Sequence, residues 1–176
     1  DTTQTFSDKV LDRSNLIRFN VEPDKIKWEN PFTEDAKKEI YKPLFKITYN
    51  TFKGWKIKPK ENETYYTEAQ GILKEINRQL VDLDRPFGHR LAQSMMAYIA
   101  NYPGVLDNGD NWRLALSDQI SQKIMPKMRG VELSENSDAL IEINKILKNV
   151  EDTPLVEAFE LALDEKKNST GFFQWR

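Results

Sequence analysis

The chain has 176 residues and three places where side-chain types and spacing point to chemistry. The first is Asp12-Arg13, which closes the short run SDKVLDR. Ser7 is a good helix N-cap there, and Asp8 sits where the positive end of the helix dipole favours an anion. A planar, permanently charged guanidinium suits the charge that spreads over a transferred phosphoryl group, and such an arginine contributes about 10³–10⁵ in rate. An ordinary surface arginine stabilising a helix C-terminus is the competing reading. The second is Arg90, behind Phe87-Gly88-His89 at the head of the amphipathic run LAQSMMAYIANY. A helix N-terminus opened by a glycine lets a phosphate approach closely; a pair with Asp82 or Asp84 is the plainer alternative. The third is residues 42–60, six lysines without an acid, interleaved with Phe45, Tyr49, Phe52 and Trp55. Lys53, Trp55, Lys56 and Lys58 could hold single-stranded nucleic acid through phosphate charge and base stacking. A solvated hairpin with its aromatics tucked against a bundle explains the same pattern.

Other chemistry is excluded. No cysteine and a single histidine, His89, leave no metal site in view. The seven glycines never form the phosphate-cradling G-x-x-x-x-G-K-[ST], and no apolar run ends in the paired acids that hold Mg²⁺. No Gly-x-Ser-x-Gly or paired-histidine motif offers a hydrolase. A net charge of −2 creates no global field toward nucleic acid or membrane. No apolar run approaches the roughly 18 residues of a membrane span, and no secretory leader is recognisable, so a cytoplasmic protein is expected. A chain that opens on Asp1 rather than Met is expected to be a trimmed or recombinant fragment.

The elements that must position these groups are mostly helical. After residues 5–19, a helix leading into a short strand at Leu16 to Phe19, residues 21–33 read as a linker with an Asn-Pro step. Thr33 can cap a helix that Pro43 stops. Alternation of Phe45, Ile47 and Tyr49, then Trp55 and Ile57, around residues 50–54 predicts a hairpin; a helix through Tyr41, Phe45, Tyr49 and Phe52 stays open. From Thr67 the chain is plainly helical. Thr67-x-x-Gln70 is a capping box for a stripe of Ala69, Ile72, Leu73, Ile76, Leu80 and Leu83. A second helix runs from Phe87 or Gly88 to Tyr102, and a third from Asn111 to Met125, stopped by Pro126. Ser137 is expected to cap a fourth, with Leu140, Ile143, Leu147 and Val150 inward. Thr153 is expected to cap a fifth, with Pro154 at its first position and Val156, Phe159 and Leu163 as its stripe. The fold class expected is therefore mainly α, a helical bundle with a short β element or hairpin.

Residues 1–19, DTTQTFSDKVLDRSNLIRF, resemble the segment after sensor 1 in AAA+ NTPases of the McrB type, the nucleotide-hydrolysing motors of modification-dependent restriction. FGHR at 87–90 is similar to the family's sensor 2 helix. ALSDQISQKIMPKMRG at 115–130 is similar to its lid signature, matched at Asp118, Gln119, Lys123, Pro126, Lys127 and Gly130. The closing GFFQWR resembles the aromatic ending of relatives and is expected to latch the bundle. Lys123 and Lys127 are expected on a solvated face, and the methionines in the core.

The resemblance implies that Arg13 is an arginine finger acting in trans, that Asp12 orients it, and that Arg90 and Gly88 meet nucleotide. It implies ATP or GTP with Mg²⁺ in an intact parent protein and none bound by this chain alone. The implied partners are neighbouring AAA+ subunits in a ring, DNA and a nuclease, with no membrane. By the same likeness, residues 1–21 would end the large subdomain, 22–66 would be a linker with a basic-aromatic insertion, and 67–176 a helical lid resembling that of AAA+ proteins. A non-enzymatic nucleic-acid-binding or protein-interaction module is the alternative.

Overall fold

The computed structural model describes residues 10, 13–16, 47–61, 63–105, 111–164 and 171–175. The chain divides into two compact units, Ile17–Lys56 and the remainder, Asp1–Leu16 with Ile57–Arg176. In the first unit Tyr49–Trp55 is a helix, α1, and not the hairpin that alternation predicts. The reason is local. Thr48 Oγ1 accepts from Thr51 N at 3.2 Å, which satisfies a first-turn amide, whereas a two-stranded hairpin is marginal on its own. The residues expected to form the turn therefore lie inside the helix. The other arm, 44–46, lies outside the described residues, as do the helix expected after Thr33 and the strand after Leu16.

The second unit is a mainly helical bundle of α2 (Thr64–Asp82), α3 (His89–Ala100), α4 (Trp112–Gln119), α5 (Ser137–Lys148) and α6 (Thr153–Leu163). α2 starts one turn before the expected capping box. Tyr65 is buried and extends the stripe Ala69, Leu73, Ile76, Leu80 by one turn, so burial outweighs a cap at Thr67. At its far end Asp84 takes the left-handed position, φ 55°, and Arg85 N donates to Leu80 O at 2.8 Å.

Two further caps differ from expectation by one residue. Asn136, not Ser137, precedes α5. Asp152, not Thr153, caps α6, because its carboxylate accepts from Leu155 N at 3.0 Å. The buried face of α6 is consequently Leu155, Phe159 and Ala162, with Val156 and Leu163 only partly buried. α5 buries Leu140, Ile143 and Leu147, with Val150 just beyond its end, as expected. Glu160 joins α6 to α5, accepting from Asn144 Nδ2 at 3.2 Å and pairing with Lys148 at 3.0 Å. Those two contacts hold its carboxyl below the usual carboxylate range.

The helix expected to run unbroken to Met125 changes type instead. α4 ends at Gln119, a π turn spans Ile120–Ile124, and a 3₁₀ turn carries Met125–Met128 past Pro126. An α-helix advances about 100° per residue, so apolar residues repeated every fourth position drift about 40° per step. Leu116, Ile120, Ile124 and Met128 repeat in that way, and all four are fully buried. The wider π turn takes up the drift and keeps them on one face.

The chain closes on a short antiparallel pairing. Phe173 N donates to Val131 O at 2.7 Å, Gly130 N to Phe173 O at 3.1 Å and Leu133 N to Gly171 O at 3.0 Å, around a Glu132–Phe172 bridge. Gly130 and Gly171 open the two arms at φ 82° and 69°, where a side chain would be strained. This pairing, and not a hairpin at 45–57, is the β contact among the described residues. It inserts Phe173 beside Phe159, ring centroids 5.4 Å apart, while Phe172 points to solvent. Phe173→Ala is expected to destabilise the chain by about 3–5 kcal/mol, and Phe172→Ala by less than about 0.5 kcal/mol. Urea denaturation followed by tryptophan fluorescence measures both, and equal losses would contradict the latch.

Candidate functional site

Arg13 lies in a turn closed by a bond from its own N to Val10 O at 3.1 Å, and Ser14 Oγ donates to the same carbonyl at 2.8 Å. Its side chain is exposed and forms no ion pair with a described residue. Asp12 lies outside the described residues. Arg90 is exposed in the first turn of α3, and neither Asp82 nor Asp84 pairs with it. Gly88 is the N-cap of α3 with φ −91° and ψ 177°, a conformation open to any residue, and a Cβ there would touch nothing within 4 Å. The fold does not require that glycine.

Lys53, Trp55 and Lys56 are exposed on α1, where Lys56 Nζ lies 4.8 Å from the Phe52 ring centre. Lys58 belongs to the other unit, so the basic-aromatic quartet is divided between the two. α1 buries none of its residues: Tyr49, Phe52 and Trp55 are 75%, 48% and 51% exposed. The expectation of a solvated face is overturned for Lys123 and Lys127, each only 5% exposed. Their positions follow from the π and 3₁₀ turns, which roll this part of the chain into the bundle. Met95, Met96, Met125 and Met128 are all buried, as expected of core filler.

What the structure assembles around Gly88 is a cleft of about 550 Å³ between α2 and α3. Leu73, Phe87, Ala92 and Met96 give it an apolar floor. Tyr66, Gln70 and Lys74, one turn apart along α2, form a polar wall. Along it Lys74 Nζ donates to Gln70 Oε1 at 2.8 Å, and Gln70 Nε2 to Tyr66 Oη at 3.4 Å. His89 and the strap of Lys58, Pro59 and Glu61 complete the rim.

Two asparagines fix the borders. Asn77 Oδ1 accepts from Phe87 N at 2.8 Å and its Nδ2 donates to Phe87 O at 3.1 Å. Asn101 does the same for Ile57, accepting from its N at 2.7 Å and donating to its O at 2.8 Å. Sequence reasoning missed both asparagines, Asn77 within α2 and Asn101 just past the end of α3.

α3 is tied to α4 by Tyr98 Oη, which donates to Asp118 Oδ2 at 3.0 Å. Burial first, then that hydrogen bond and the carboxylate's charge, push the Tyr98 hydroxyl up to about 12. Among the described residues no group of three His, Cys, Asp or Glu could hold a metal ion. No helix among them is long and apolar enough to cross a membrane.

Comparison with known proteins gives one match. A family model described as "Domain of unknown function (DUF8727)" covers residues 41–167. No curated protein and no solved structure matches the chain.

The Tyr98 shift sets a direction for alkaline stability. Its folded-state value lies above that of an unfolded tyrosine, about 10. The stabilisation is therefore complete below that pH and is lost as pH rises through about 12. Absorbance titration at the tyrosinate band should find one of the six tyrosines ionising last, and Tyr98→Phe should delete that step. A titration unchanged by Tyr98→Phe would contradict the assignment.

Proposed function

The chain belongs to the DUF8727 family, and we propose that it serves there as the lid and arginine-finger portion of an AAA+ NTPase. The observation that carries this reading is the pairing of two segments that resemble the same motor family. The run 115–130 and the ending 171–175 are far apart in sequence yet share a backbone ladder, Gly130 with Phe173 and Phe173 with Val131. Joined in that way, they close a lid that can move as one rigid body, which is how domain closure couples hydrolysis to work. Exposed Arg13 is available to a neighbouring subunit, with Asp12 beside it in sequence to orient it. Exposed Arg90, behind the N-cap Gly88, is available to phosphate.

In this proposal ATP or GTP with Mg²⁺ is held by a separate core that carries the phosphate loop. The part proposed for this chain is to contribute arginines and a cover. Ring neighbours, DNA and a nuclease are the proposed partners, and the cytoplasm is the proposed compartment.

In the complete motor, Arg13→Ala is expected to lower magnesium-dependent hydrolysis by about 10³-fold or more while nucleotide affinity stays within about threefold. Arg90→Ala is expected to weaken nucleotide binding itself. Phosphate release and equilibrium binding, measured side by side, separate the two effects. Turnover unchanged by Arg13→Ala removes it from the mechanism.

A second reading has its own observation, the exposed rings of α1 beside Lys53 and Lys56. That surface suits a single strand stacked on Trp55 and Phe52, with Lys53 and Lys56 meeting its phosphates. A salt-dependent shift of labelled single-stranded DNA, lost on charge reversal at Lys53 and Lys56, is its expected signature. No shift at low salt would end it.

A further inference from the structure

The cleft beneath the 58–61 strap is not lined by Arg13 or Arg90. On α3 it is lined by His89, Ala92, Gln93, Met96 and Ala97, an arc whose edge at Ala97 lies beside Arg90. We propose that this cleft binds a small amphipathic anion, a compact apolar ring system carrying a single acidic group.

Three observations carry the assignment. The volume of about 550 Å³ lies within the range of small-molecule sites, and Leu73, Phe87, Ala92 and Met96 offer the apolar floor such sites have. The rim fixes the charge of the occupant. Among its lysine and carboxylate side chains, Lys58 and Lys74 stand against Glu61 alone, which leaves an excess of one positive charge. That balance matches a monoacid and falls short of a triphosphate. Finally, the walls are set before anything binds. Gln70 and Tyr66 orient the Lys74 ammonium, while the amides of Asn77 and Asn101 pin Phe87 and Ile57 at the two borders. A preformed cleft avoids the ordering cost that a mobile one meets on binding.

The experiment uses the full chain and the fluorescent probe anilinonaphthalene sulfonate, an aromatic monoacid. One saturable site is expected. Its affinity should fall about tenfold on Lys58→Glu and about tenfold on Lys74→Glu, the loss of one charge-assisted contact each. Gln93→Trp, an exposed change at the cleft mouth, should block it, and Lys145→Glu on α5 should leave it unchanged. Far-ultraviolet circular dichroism of each variant checks that the bundle is intact. Phenylnaphthylamine, which lacks the acid, should bind at least about tenfold more weakly.

Absence of saturation would overturn the proposal. So would equal affinity for the neutral analogue, or indifference to both lysine variants in folded protein, since either makes the floor a mere apolar patch. Displacement of the probe by ATP would overturn it in another way, by making the cleft part of a nucleotide site. Hydrolysis by the Arg13 variant reads the motor proposal separately, so each can fail alone.

Discussion

The structure depends on one geometric constraint: an apolar row spaced by four residues must stay in the core while the chain approaches a proline. Leu116, Ile120, Ile124 and Met128 form that row, and Pro126 lies within its last step. Proline has no amide to donate and clashes with the preceding turn, so a regular helix cannot run through it. Widening into a π turn and tightening into a 3₁₀ turn resolves both difficulties at once. The cost appears in polar groups. Gln119, with no exposure at all, has neither its amide nitrogen nor its oxygen hydrogen-bonded to protein. Lys123 and Lys127 are carried inward by the same change of helix type, their long aliphatic stems covering core.

Around that row the bundle is assembled by contacts that join segments distant in sequence. Phe173 enters beside Phe159 only because Gly130 and Gly171 allow the two arms of the ladder to turn toward each other. Asn77 and Asn101 use another device. A carboxamide presents a donor and an acceptor side by side, which is the pattern of a peptide group in an antiparallel pair. Each asparagine therefore pairs with one residue of a non-helical segment as a neighbouring strand would, and satisfies both of its backbone groups. The segments around Ile57 and Phe87 are fixed on the bundle without any sheet.

The sequence made the helices legible where apolar periodicity was long, as in α2 and α5, since burying a stripe dominates other preferences. It was a poorer guide to ends, where one hydrogen bond decides. Asp152 and Thr153 are both acceptable caps, and the carboxylate bond to Leu155 N selects the first. The segment 47–57 misled because alternation over a few residues is a weak signal beside a threonine able to close a turn at Thr51. Of the candidate site, Arg13 and Arg90 are both exposed, which suits a surface arginine as well as one that meets nucleotide. The cleft was not legible, because its walls come from residues 58–97 brought together by two amides. Spacing in one helix does not report such a pairing.

α3 is where these features meet. Leu91, Met95 and Ile99 face the core, Ala92, Gln93 and Met96 face the cleft, and Arg90 stands at the edge of the cleft's arc, beside Ala97. A twelve-residue helix with intact internal bonds moves as a unit, so a displacement felt on one arc is transmitted to the others. Tyr98 anchors it to α4 through Asp118, one residue before Gln119 and two before the π turn. Any tilt of α3 must strain that bond or carry α4 and the apolar row with it. The helix is thus held by the same constraint that holds the core, and the exposed arginine at its head inherits its position from residues packed far beneath it.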